Sequence, residues 1–286
     1  SGYEAATTSP TSPAGPSRDL ELAKKAYKDG DLTASKAAHE AKSKGTTGTE
    51  EEHAGEGSEY IKSLVFGGLD GIITTFAIVC AAVGAGLGNK TVIVMGLANL
   101  VADAISMGLG DALSEKAEYD YVKREYDREA WELENHPEGE KTEMVELYEE
   151  NGVPKEDAEI IINTMAKYPE LFLKHMMNLE LEMMAPDPDD NPWKKGAVTF
   201  GAFVAFGSVP LLSFIAFSGV EDLGPNGLFG ICCLFTAIAI FALGAVKGKF
   251  AQANMFTSGA YMLLNGSLAA ASSYVIGWGL ETLVPE

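Results

Sequence analysis

The sequence predicts an all-α membrane protein: five transmembrane helices, with an acidic three-helix domain inserted between spans two and three. Three observations predict it. Residues 196–220, 223–246 and 250–280 contain no Asp, Glu, Lys or Arg, and about 20 apolar residues suffice to cross a bilayer. Two further apolar stretches, residues 63–88 and 91–110, carry one acid each. Charge collects elsewhere: residues 111–190 hold 24 Asp and Glu against 8 Lys and Arg. The chain as a whole carries −20, which excludes nucleic acid as a partner, because an acidic surface repels phosphate.

Residues 1–57 are rich in Ser, Thr, Pro, Gly, Ala and charge. They read as a disordered tail with a short helix over 18–42 and no cleavable signal peptide. Residues 58–110 hold spans one and two, with a turn at Gly88-Asn89-Lys90. From Asp111 to Asn135 there is neither Gly nor Pro, so span two runs on as one long helix until His136-Pro137 stops it. Residues 111–192 form the acidic domain. Its second helix, Glu138–Glu150, ends at Asn151-Gly152. Its third, Pro154–Met184, has a weak point at Tyr168-Pro169. Residues 193–286 hold spans three (196–218), four (228–246) and five (253–278), with Pro210 predicting a kink or break in span three.

Orientation follows from short-loop charge. Lys62, Lys194, Lys195, Lys247 and Lys249 fall on one side, and Lys90 with Glu221, Asp222, Glu281 and Glu286 on the other. The basic side is cytosolic. That places the N-terminus and acidic domain in the cytosol and the C-terminus across the membrane. Cys80, Cys232 and Cys233 lie inside apolar runs with no CxxC spacing, which excludes a disulfide scaffold and a thiolate zinc site.

An acid inside a membrane span is costly unless it meets water, a partner or an ion. Span one carries Asp70, and span two carries Asp103. Asn99, Asp103, Met107 and Asp111 recur every fourth residue, hence on one slowly drifting helix face. This predicts a cation pathway lined by Asp70, Asp103 and Met107. In the acidic domain Glu129 and Glu132, and Glu140 and Glu143, are i,i+3 pairs. Met176, Met177 and Glu180 cluster near the end of the third helix. Carboxylate pairs from separate helices can build a divalent-metal site. A carboxylate and thioether mixture favours iron(II) over magnesium or calcium. The competing reading is a solvated acidic face.

The segments FGGLDGIITTFAIVCAAVGAGL, NLVADAISMGLGDALSEKAEYDYVKREYDREAWELENHPEGEKTEMVELY, GAVTFGAFVAFGSVPLL and MLLNGSLAAASSYVIG together resemble the vacuolar iron transporter family, over about residues 59–281. The resemblance implies a homodimer of five-span protomers with a pore at the dimer interface. It implies proton-coupled export of iron(II) from the cytosol into a vacuole-like compartment, by a non-enzymatic antiporter without a prosthetic group. It assigns Asp70 and Met107 to an in-membrane metal site. It assigns Glu129, Glu132, Glu140, Glu143, Met176, Met177 and Glu180 to a cytosolic one, and places Glu59 as a cytosol-facing acid before span one. Asn99 and Asp103 enter from the helix-face argument alone. Manganese(II), cobalt(II) and zinc(II) are further candidate cargoes.

Two other function classes compete. A membrane-anchored di-iron enzyme would want two Glu-x-x-His motifs. The acidic domain has only His136 and His175, preceded three residues earlier by Leu133 and Phe172. A passive tethered metal buffer would need no acids in its spans.

Overall fold

The computed structural model describes residues 20–40, 55–217 and 224–283. Among them there are helices and no strands: α1 (Leu20–Asp29), α2 (Leu32–Glu40), α3 (Gly55–Gly84), α4 (Asn89–Asn135), α5 (Pro137–Glu150), α6 (Lys155–Met165), α7 (Pro169–Leu179), α8 (Pro192–Phe217), α9 (Gly224–Phe250) and α10 (Met255–Leu283). The chain divides into two compact units, Ser1–Glu59 and Tyr60–Glu286.

In the first unit the single expected helix is two. Gly30 takes φ +67°, a conformation that costs glycine little. The Asp31 carboxylate then accepts from the Thr33 and Ala34 amides and starts α2. The expected disorder of residues 1–19 and 41–54 lies outside the described residues.

In the second unit α3, α4, α8 and α9 are long and apolar enough to cross a bilayer. The fifth expected span, α10, is 29 residues long and less apolar, diluted by Asn265, Ser267, Ser272 and Ser273. The turn after span one comes earlier than expected: Gly86 adopts φ +67° and Gly88 caps α4, so Asn89 and Lys90 are already helical. Pro210 does not break α8.

The membrane bundle packs α4 on α8, α8 on α9 and α9 on α10. Glycine sets the closest approaches. A Cβ on Gly71 of α3 would stand 2.5 Å from the Phe203 carbonyl oxygen on α8, so only glycine lets these backbones meet. Gly277 of α10 presses on the Ala81 carbonyl of α3 in the same way. Phe76, Val79, Leu100, Phe203, Leu211 and Phe214 fill the core between them.

The acidic segment departs from the bundle along α4, one unbroken helix of 47 residues. The chain reverses at His136-Pro137 into α5, then at Asn151-Gly152, where Gly152 takes φ +88°. The expected third helix is two helices. Tyr168 leaves helical geometry before Pro169, which opens α7 at its first turn, and α7 ends at Leu179 rather than Met184. Met144, Val145, Ala158, Ile162, Phe172 and Met176 form a separate apolar core that ties α5, α6 and α7 together.

Candidate metal centre

Three carboxylates converge where α4, α5 and α7 come together. Glu129 sits near the end of α4, Glu140 in the first turn of α5, and Glu180 at the C-cap of α7. The His136-Pro137 reversal brings Glu140 back beside Glu129. The apolar core beneath α7 carries Glu180 to the same point. One oxygen from each lies within 4.8 Å of the others. Glu129 is 1% exposed and Glu140 5%.

These carboxylates are poorly satisfied by protein. Both oxygens of Glu129 and one of Glu180 are buried without a hydrogen-bond partner among the described residues. Arg128 Nη2 stands 2.7 Å from Glu129 Oε1, near enough to attract but not aligned to donate. Its aligned hydrogen bonds go to Glu125 and Glu132. Burial pushes Glu129 up to about 7, with Glu180 adding to the rise and Arg128 opposing it. Burial, then Glu143, pushes Glu140 up to about 7. Glu180 is raised by burial and next by Glu143. Buried acids this close either hold protons or share a cation. Three oxygens held about 2.1 Å from one divalent ion stand about 3.0–3.6 Å apart, so a separation of 4.8 Å has to close by about an ångström or more when the ion binds.

The other expected ligands surround this group. Glu132 is half-buried and holds Arg128 at 3.3 Å. Glu143 is exposed and reaches the group through its charge. Met176 and Met177 are fully buried on the turn of α7 that precedes Glu180, Met176 inside the apolar core. His175 Nε2 is hydrogen-bonded to the Tyr148 hydroxyl at 2.8 Å, and burial lowers its pKa, keeping the ring neutral.

In the membrane-spanning part Asp70 and Asp103 are half-buried and near enough to interact electrostatically. Thr74 Oγ1 donates to the Asp70 carbonyl at 2.8 Å, and Asn99 Nδ2 donates to Asp103 Oδ2 at 2.6 Å. Met107 is half-buried against the bundle core. Glu59 falls within α3, but its side chain lies outside those described.

Sequence reasoning left out a polar layer at the bundle's end. Asp111 accepts a short hydrogen bond from Thr199 Oγ1, and Ser63 Oγ is 3.5 Å from the same oxygen. Lys195 is buried and pairs with Glu115 at 2.7 Å and Asp190 at 3.1 Å. Asp111 had a signal, as the fourth member of the four-spaced face of α4. Ser63 and Thr199 had none, since isolated hydroxyls in apolar helices are ordinary.

Comparison with known proteins places these features in a family. The VIT family profile matches residues 61–278. The chain is 42% identical over 272 residues to a vacuolar iron transporter of Toxoplasma gondii, spanning 93% of this chain and 90% of that protein. It is 35% identical to the vacuolar iron transporter of Plasmodium falciparum, over 92% of this chain and 97% of that one. Against vacuolar iron transporter 1 of Arabidopsis thaliana the identity is 29%, over 76% and 85%.

Proposed function

The chain belongs to the VIT family, and on that premise we propose that it is a proton-coupled transporter moving iron(II) from the cytosol into a vacuole-like compartment. Its relatives are named as iron transporters, and the same membrane activity comes to this chain from them. A multi-pass endomembrane protein fits both that likeness and four apolar helices of spanning length. The di-iron enzyme is set aside: the relatives are transporters, and the Nε2 of His175 is already engaged by Tyr148.

The observation that carries the metal reading is the buried, hydrogen-bond-deficient trio Glu129, Glu140 and Glu180. An apolar environment offers no reason to assemble three such oxygens, whereas a divalent cation does. Glu132, Glu143, Met176 and Met177 complete its surroundings. Asp70 and Met107 are the in-membrane ligands, with Asn99, Asp103 and Glu59 lining the route.

The finer architecture is part of the same proposal. α10 is the fifth span, held to α3 by the Gly277 contact. Loop lysines keep the acidic domain in the cytosol. The exposed apolar stripe Val94, Leu97, Val101, Ile105 and Leu109 on α4 meets lipid or a second protomer. The protein is a homodimer with α3 and α4 at its axis.

Proteoliposomes loaded with metal- and pH-sensitive dyes test the function. Iron(II) uptake should accompany counterflow of protons, with manganese(II), cobalt(II) and zinc(II) as competitors. Uptake that ignores an imposed pH gradient would remove proton coupling from the proposal.

A further inference from the structure

Three oxygens from three helices meet at the end of the bundle nearest the acidic domain. Asp111 is on α4, one turn beyond Met107. Thr199 is on α8 and Ser63 on α3. Thr199 Oγ1 donates a short hydrogen bond to Asp111 Oδ2, and Ser63 Oγ stands 3.5 Å from that same oxygen. Thr199 is completely buried and Ser63 nearly so. The packing around them leaves little latitude: a Cβ on Gly67, one turn along α3 from Ser63, would come 2.6 Å from the Thr199 carbonyl.

Among the described residues, buried and half-buried charge at this level is mostly acidic. Lys195, one turn from Thr199, is shared by Glu115 on α4 and Asp190 in the preceding linker. Lys62 and Lys194 are exposed. Counting the buried and half-buried groups, Asp111, Glu115 and Asp190 outnumber Lys195. The two hydroxyls donate to Asp111 and stabilise its charge without neutralising it.

We propose that Asp111, Thr199 and Ser63 form a relay site that holds the divalent cation before it reaches Asp70 and Met107. The proposal rests on the transport reading above. A hydroxyl donates one hydrogen yet keeps two lone pairs. Rotation about the Cβ–O bond therefore turns each donor into a ligand while every heavy atom stays in place. The Thr199 and Ser63 oxygens lie within 3.5 Å of Asp111 Oδ2, bracketing the about 3 Å between neighbouring ligands around an ion at about 2.1 Å. The position is right: Asp103, Met107 and Asp111 follow one another at four-residue steps on one face of α4. Antiparallel α3 sets Ser63 beside Asp111, and about two turns further into the bundle lie Asp70 on α3 and Asp103 on α4. The donor set is all oxygen, so the relay selects for charge and size, leaving softness to Met107.

The full-length protein in proteoliposomes tests this with Asp111→Asn, Thr199→Val and Thr199→Ser. Thr199→Val keeps shape and removes only the hydroxyl. Loss of a ligand or its support weakens metal sites by about 10- to 100-fold. The KM for transport should accordingly rise about tenfold in Asp111→Asn and Thr199→Val, equally for iron(II) and manganese(II), and stay near wild type in Thr199→Ser. Binding is read separately by iron(II)-directed backbone cleavage with ascorbate and hydrogen peroxide. Wild type should be cut near Glu129 and Glu140 and again near Asp111 and Thr199. Asp111→Asn and Thr199→Val should lose only the second set. Unchanged KM in both variants, or cleavage at the acidic trio alone in wild type, overturns the relay and leaves the transport reading standing. No cleavage at either place, with no transport, overturns both.

Discussion

Replacing Glu129 by Gln should make the metal-free protein more stable while removing its response to metal. Two carboxylate charges at 4.8 Å repel by about 3 kcal/mol at an effective dielectric of about 20. Glu129 takes part in two of the three pairs of the trio, so at this widest separation full ionisation puts the relief at about 6–7 kcal/mol. Arg128 and partial protonation near neutrality cut this to about 1–3 kcal/mol at pH 7.5. A Gln amide can also donate to Glu140 and Glu180, replacing repulsion with a hydrogen bond. The sign with pH follows from linkage. Folding raises Glu129 and Glu140 from the usual 4.5 to about 7, so the native state holds extra protons between those values. Apo stability therefore falls as pH rises through that window and is recovered on acidification. Thermal unfolding of the chelated protein, followed by intrinsic fluorescence, checks this. The variant should melt above wild type at pH 7.5, with the gap closing by pH 5. Cobalt(II) or iron(II) at pH 7.5 should raise the melting temperature of wild type and leave that of Glu129→Gln nearly unmoved. A variant that melts below wild type at pH 7.5, or that gains as much from metal, would refute the idea that charge repulsion is held in readiness for a cation.

Asp70→Asn should abolish iron(II) transport and metal-driven proton movement together, while Met107→Leu should weaken iron(II) and cobalt(II) transport more than manganese(II); dual-dye proteoliposomes read both. Gly277→Ala should destabilise the α3–α10 contact by about 1–3 kcal/mol through overpacking, seen as a lower unfolding temperature of the purified protein. Cysteines introduced at Asp187 and Thr282 should be labelled from opposite sides of the membrane, and equal labelling from the cytosolic side would contradict a fifth span.

Much of this architecture was readable from local chemistry. The absence of Gly and Pro between Asp111 and Asn135 foretold α4 as one helix, and His136-Pro137 foretold its end. Pro169 marked the place where the third acidic helix divides, although nothing local distinguished a bend from a break. The i,i+3 spacing of Glu129 with Glu132, and of Glu140 with Glu143, suggested paired ligands. Spacing on one helix cannot say which member of a pair turns inward. That is decided by how the helices pack: Glu129 and Glu140 are buried where α4, α5 and α7 meet, and Glu143 is left in solvent. The Asp111 layer was hidden for a related reason: its partners come from α3 and α8, distant in sequence and brought close by glycine packing.

The unbroken length of α4 sets a kinetic limit. Glu129 lies 22 residues beyond Met107 on one helix, about 33 Å at 1.5 Å per residue. That is roughly four screening lengths at physiological ionic strength of about 8 Å each, so the acidic trio exerts almost no pull on an ion at the bundle. On the proposed transport route, a cation taken up there must dissociate fully before it travels on. Release therefore has to outpace turnover. For a turnover of order 10 per second and capture at up to about 10⁹ per molar per second, the trio cannot bind its cargo more tightly than about 10 nM without becoming a trap. Moderate affinity is thus a requirement of the trio's position, and an engineered tightening of it should slow transport.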